Sequence, residues 1–246
     1  MRNRRVEYAC LSSVGRLRRN NEDNFCCAGH IRDDVSGTED VAVSGTVISD
    51  DNALFAVFDG MGGEACGEVA SLIAAQESER FTRDRARYEE YLYELAELLN
   101  KRVREETEAR SLVIMGTTAA MLQVSGDDIY ILNAGDSRIY KLSRHEMRRI
   151  SEEHITPVSG GKAITKFLGM PEGYSLRPYI AMGNYKVGDM FLLCSDGVTD
   201  MLTDREIAEI IDDKRELSVL VRELVDAALE RGGVDNTTAI LLRFTK

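Results

Sequence analysis

The sequence predicts an α+β fold in which antiparallel β-sheets are covered by helices. Short β-rich runs bounded by turn residues recur along the chain, at 54–58, 118–124, 129–133, 138–142, 190–194 and 238–244. Helical patterns fall in two pairs, one between residues 67 and 103, the other between 204 and 229. The order is strands, two helices, a run of strands, two helices and one strand. That order departs from the βαβ alternation of a parallel, doubly wound sheet.

Taken in order, the stretch 6–13 is too short and too polar for a signal-peptide core. Residues 25–28 form a short strand. The stretch 32–52, rich in Asp, Ser and Gly, reads as a surface loop or hairpin, with Val41-Ala42-Val43 and Thr46-Val47-Ile48 as its strand pair. The run 54–58 ends at Asp59-Gly60, and a helix over 67–81 opens after a glycine cluster. Over 88–103, Tyr88, Tyr91, Leu92, Leu95, Leu99 and Val103 recur at three- and four-residue steps, one core-facing stripe. The next three runs are separated by 125–128 and by Gly135-Asp136-Ser137, a spacing that predicts an antiparallel meander. A helix over 204–211 starts at the acidic cap Thr203-Asp204. A second, over 217–229, stops at Gly232-Gly233.

At 246 residues the chain suits one layered domain, expected to span 1–246. A net charge of −11 argues against a nucleic-acid or acidic-membrane partner, since both need a basic footprint. No apolar run approaches the ~20 residues of a membrane span. The five cysteines include no CxxC pair and no zinc spacing, which suits reduced thiols and a cytoplasmic setting.

The chemistry lies in carboxylates at strand ends. Asp59, Asp136 and Asp196 each follow an apolar run, Asp235 precedes the last strand, and Asp23 precedes the strand at 25–28. Each taken singly is ordinary turn chemistry. If the strand ends meet, such a cluster cannot stay ionised without cations, and hard oxygen ligands select Mg²⁺ or Mn²⁺. Spacing alone does not establish that meeting. The glycine-rich stretches 60–67 and 159–163 match neither GxGxxG nor a nucleotide P-loop. With no GxSxG elbow and three histidines, a Ser-His or Cys-His nucleophile has little support.

Six motifs occur in order: Gly15-Arg16-Leu17-Arg18-Arg19-Asn20-Asn21-Glu22-Asp23-Asn24; Phe58-Asp59-Gly60-Met61-Gly62-Gly63 with Gly67-Glu68-Val69-Ala70-Ser71; Gly116-Thr117-Thr118; Asn133-Ala134-Gly135-Asp136-Ser137-Arg138; Leu193-Cys194-Ser195-Asp196-Gly197-Val198-Thr199-Asp200; and Asp235-Asn236-Thr237-Thr238. Through them the chain resembles the metal-dependent protein phosphatases of the PPM (type 2C) family in their bacterial form. The resemblance implies a four-layer α-β-β-α sandwich of two antiparallel sheets, with the site at one end and, in this chain, a shortened flap. It implies that Asp59 bridges two Mn²⁺ or Mg²⁺ ions, completed by the Gly60 carbonyl, Asp196 and Asp235. Asp136, with Asp196, matches the position of a third, weaker ion. Asp23 would orient metal-bound water, and Arg18 would hold the substrate phosphate. The implied reaction is hydrolysis of phosphoserine or phosphothreonine by a hydroxide bridging the two ions. The implied partner is a phosphorylated protein, the substrate of a Ser/Thr kinase, met by a monomer.

Three rivals keep the fold: a catalytically silent regulatory or binding protein, a hydrolase of small phosphate esters, and a partner-switching phosphatase for one phosphoserine protein. The chain also departs from the family pattern. Met61 follows the Asp-Gly pair, and Glu64 stands where bacterial members commonly carry His, leaving the acid for the leaving group unassigned. Glu64 is a weak candidate for it, against an exposed loop residue. Residues 155–165 are a short segment where relatives carry a longer helical flap. Lys162 in that segment is read as a solvated loop lysine, with a phosphate contact as the minor alternative. His154 is read as scaffold, and Cys66 and Cys194 as small buried apolar residues.

Overall fold

The computed structural model describes residues 4–34, 37–61, 66–81, 88–143 and 146–246. Its first half holds strands β1 (Arg5–Ser13), β2 (Asp23–Cys27), β3 (His30–Ile31), β4 (Val41–Ile48) and β5 (Leu54–Met61), then helices α1 (Gly67–Phe81) and α2 (Tyr88–Ala109). Strands β6 (Gly116–Thr117), β7 (Ala119–Ser125), β8 (Asp128–Ala134), β9 (Arg138–Ser143), β10 (Glu146–Arg149), β11 (Ile155–Val158), β12 (Gly161–Ile164), β13 (Tyr179–Asn184) and β14 (Met190–Cys194) follow. The chain continues through α3 (Asp196–Thr199), α4 (Asp204–Ile210) and α5 (Leu217–Glu230) to β15 (Thr237–Thr245).

One antiparallel sheet runs β10-β9-β14-β15-β1-β4. The other runs β13-β8-β7-β5-β2-β3, with β6 paired to β5. Three apolar layers hold the stack together. Phe25, Phe55, Val57, Phe191, Leu193 and Ile240 fill the space between the sheets. Phe58, Ala74, Leu92, Leu95 and Leu99 pack the second sheet against α1 and α2. Leu11, Leu192, Leu220, Leu224 and Leu241 pack the first sheet against α5. Along β14, Phe191 and Leu193 enter the inner layer while Met190, Leu192 and Cys194 enter the outer one. That is the two-residue period of a strand buried on both faces, which is why it reads as one unbroken apolar run. The result is a four-layer α-β-β-α sandwich.

Four expectations change. Residues 41–48 form one edge strand with alternating exposure, not a strand pair. Gly45 opposes Tyr8 in register, and a Cβ there would stand 2.6 Å from the Tyr8 hydroxyl. The glycine marks a close approach within a strand, not a turn. The meander also fails after its first hairpin. β8 pairs with β7 and β13, whereas β9 crosses to the other sheet and pairs with β10 and β14. The turn Gly135-Asp136-Ser137 is thus a crossing between sheets. β1, read above only for what it excludes, lies between β15 and β4. Finally, α2 runs on to Ala109 past its apolar stripe, its last turns carrying the pairs Lys101–Glu105 and Glu106–Arg110 at i,i+4. Among the described residues no helix is long and apolar enough to cross a membrane.

Candidate metal centre

The strand-end carboxylates meet at one end of the sandwich. Asp23 opens β2 and Asp59 lies near the end of β5, and the two oppose each other in antiparallel register. Ser195, which precedes Asp196 at the end of β14, donates its hydroxyl to Asp23 Oδ2 at 2.8 Å. Its hydroxyl also accepts the Thr238 amide at 3.0 Å, tying β15 to the same point. Thr118 Oγ1 accepts the Asp59 amide at 3.0 Å and lies 2.7 Å from Ser137 Oγ, beside Asp136. Asn236, next to Asp235, accepts the Glu22 amide at 2.8 Å and donates to the carbonyls of Val14 and Asn20. Short hydroxyl and amide side chains thus tie the carboxylate-bearing segments to one another.

The charges feel one another. Asp59 is held well above the usual carboxylate range, first by burial and then by the charges of Asp23, Asp196, Asp136 and Asp235. Burial, with Asp196 and Asp235 nearby, pushes Asp23 up to about 7 against two lowering hydrogen bonds. Burial and then Asp136 push Asp196 up to about 6, while Lys162 pulls the other way. Such mutual destabilisation is what bound cations relieve.

The donor set fits a hard divalent ion. It consists of carboxylate oxygens, and Asp23 Oδ1 is buried without a hydrogen-bond partner among the described residues. Gly60 leaves the backbone bare beside it, since a Cβ there would come within 2.2 Å of the Gly67 carbonyl and 2.6 Å of the Glu22 carbonyl. No three His, Cys, Asp or Glu side chains form a ready ligand set among the described residues.

Arg18 sits at the outer edge, its Nη2 2.6 Å from Asp235 Oδ2. Asp235 is a third exposed and Arg18 about half, whereas Asp23 and Asp136 are at 0% and 1%. The segment expected to form a shortened flap is the hairpin β11–β12, turning through Ser159-Gly160. Lys162 on it is not a solvated lysine. Its Nζ lies 2.8 Å from Asp136 Oδ2, 3.2 Å from Asp196 Oδ2 and 3.4 Å from Asp200 Oδ1. His154 links segments through its backbone, its amide donating to the Gly135 carbonyl at 2.8 Å. Burial pushes the Cys194 thiol up to about 12, which suits an inert core residue. Cys66 is only half-buried and has a left-handed backbone with φ of 90°. Glu64 lies outside the described residues.

A family model described as protein phosphatase 2C matches residues 28–232. The chain belongs to the protein phosphatase 2C family. The serine/threonine protein phosphatase PstP of Mycobacterium tuberculosis is 28% identical over 257 residues, covering 96% of this chain. The chain spans 44% of that relative's length. The serine/threonine phosphatase stp of Listeria monocytogenes is 28% identical over 251 residues, covering 93% of this chain and 92% of stp. A crystal structure of the PstP catalytic domain in complex with two manganese ions superposes with a TM-score of 0.78 at 27% identity, covering 99% of this chain and 100% of that one.

Against the other motif residues of this phosphatase 2C chain, three gained no role from sequence. Glu22 lies against Gly67 at the start of α1, its carboxyl pushed up by burial and then by the charge of Glu68. Asp200, inside a quoted motif, reaches Lys162. Arg32 is buried beneath β2, donating to the carbonyls of Asn21, Asp23 and Asp34. Glu22 and Asp200 stand in motifs already in view. Arg32 lies in the stretch that reads as loop, and nothing local marks it.

Proposed function

We propose that this chain is a Mn²⁺- or Mg²⁺-dependent protein phosphatase that hydrolyses phosphoserine and phosphothreonine, its domain spanning 1–246. The observation that carries this is Asp59, a strand-end carboxylate whose proton affinity is raised first by burial and then by the charges of four other aspartates. A cluster of that kind is built for cations. Two divalent ions held there supply a water nucleophile of lowered pKa and neutralise charge on the phosphoryl oxygens.

The chain's own residues do the rest. Asp59, the Gly60 carbonyl, Asp196 and Asp235 hold the ions. Asp23, whose Oδ1 is buried without a hydrogen-bond partner among the described residues, would accept a hydrogen bond or proton from the attacking water. Arg18, partly exposed and ion-paired with Asp235, presents a planar fork to two phosphate oxygens. The substrate is a phosphorylated protein, the product of a Ser/Thr kinase, and the setting is the cytoplasm, with the chain acting as a monomer.

The test is hydrolysis of a phosphothreonine peptide across a Mn²⁺ titration, for the wild type and Asp196→Asn. Expected is Mn²⁺-dependent turnover that collapses in the variant. Folded protein with no turnover at any Mn²⁺ or Mg²⁺ concentration would select the catalytically silent reading. Faster turnover of small metabolite phosphates than of the peptide would remove the protein substrate.

A further inference from the structure

The flap hairpin carries a cation into the acidic corner formed by Asp136, Asp196 and Asp200. Lys162 Nζ is within 3.4 Å of an oxygen from each of the three, and its side chain is two-thirds covered. No backbone accident puts it there. Residues 155–158 and 161–164 pair in full register, which places Lys162 opposite Pro157 two positions past the turn. The hairpin is anchored at its base by the Thr165 amide donating to the His154 carbonyl and the His154 amide donating to the Gly135 carbonyl, both at 2.8 Å. The same turn, Gly135-Asp136-Ser137, supplies the carboxylate that Lys162 reaches at 2.8 Å. Hairpin and corner are therefore one unit.

We propose that Lys162 is a built-in cation that fills the Asp136–Asp196–Asp200 corner, so that the chain takes up two divalent ions and no third. This rests on the metal-centre reading above. The ammonium sits among the same three carboxylates that a divalent ion in this corner would need, and the two cannot share the point. A short tether holds the ammonium at an effective concentration of about millimolar. A loosely bound divalent ion entering from solution must displace it against that advantage. The lysine also latches the hairpin on the rim, so filling the corner and closing the flap are one event.

The test counts ions. Mn²⁺ alone is the probe, measured by equilibrium dialysis with elemental analysis of the protein, for the wild type, Lys162→Met, Lys162→Arg and, as a control on the same segment, Lys166→Met. Expected are two Mn²⁺ per chain for the wild type, Lys162→Arg and Lys166→Met, and three for Lys162→Met. Hairpin cleavage by limited proteolysis is expected to quicken in Lys162→Met without Mn²⁺ and to return to the wild-type rate with it. Three ions in the wild type, or two in folded Lys162→Met, overturns the proposal while leaving the metal centre standing. Fewer than two ions in the wild type overturns the metal centre, and the proposal with it.

Discussion

The floor and the rim of the metal centre are built by different means. On the floor, Asp23 and Asp136 are closed off from solvent and placed by backbone register and by short hydroxyl and amide groups such as Ser195, Thr118 and Ser137. At the rim, Arg18, Asp235, Lys162 and Asp200 are one-third to one-half exposed and placed by long side chains in ion pairs. Floor geometry is inseparable from folding, because moving one carboxylate there means moving a strand. Rim geometry is not, because exposed ion pairs contribute little to stability, about 0–1 kcal/mol each. The floor stores repulsion that the fold must carry, and the rim adjusts charge at small structural cost.

The floor gives the largest expected effect. Asp59→Asn removes a member of the mutually repelling set together with a proposed metal ligand. Turnover on phosphothreonine peptide should fall at least ~10³-fold, about 4 kcal/mol of barrier. In chelator, the same variant should melt a few degrees above the wild type, since a buried group that repels its neighbours whenever it ionises is gone. A lower melting temperature in chelator would mean that the floor holds no stored repulsion, and the contrast with the rim would collapse.

The rim should answer in the opposite way. Arg18→Ala is expected to raise KM about tenfold, near 1.4 kcal/mol, with melting unchanged within ~2 °C. Lys at position 18 should restore little, because an ammonium lacks the planar fork. Full recovery by Arg18→Lys would reduce the residue to a point charge.

The smallest effect is in pH. Asp196 and Asp23 are raised in the folded state to about 6 and about 7, from an ordinary value of 3.8. Between those limits the folded chain holds protons that the unfolded chain has released. Their contribution to stability is full below the ordinary value and is lost as pH rises through about 6 and about 7. Without metal, the melting temperature should therefore lose a few degrees from this source between pH 5 and 7.5, and saturating Mn²⁺ should abolish the loss. The wild type and Asp23→Asn, melted side by side in chelator, isolate it, and equal slopes would remove Asp23 as its source.

The same division explains what could be read from sequence. Asp59 and Asp196 follow apolar runs, so the strands that lead to them were legible from local pattern. β14 has the expected ends, and so does α1, where a glycine cluster leads into the helix. The sheet to which β9 belongs was not legible, because a three-residue turn has the same composition whether the chain doubles back or crosses a sandwich. Ser44-Gly45 imitates a turn because the demand for glycine comes from Tyr8, 37 positions away. Lys162 and Arg32 were missed for one reason. A long basic side chain declares its partner only in three dimensions, and both partners lie across loops whose closure no period encodes. The motif resemblance brought in the convergence of carboxylates that spacing alone did not carry.

β1 and β15 pair over their full nine residues, from Ser13–Thr237 beside the metal centre to Arg5–Thr245 at the opposite end. At about 3.3 Å per residue, that separates the two ends by roughly 26 Å. The turn at 125–128 and the residues next to Arg5 and Thr245 share the distal end, away from every carboxylate in the cluster. A label, sensor or fused domain joined there would ride on the handle of the molecule and leave the metal-centre end uncovered.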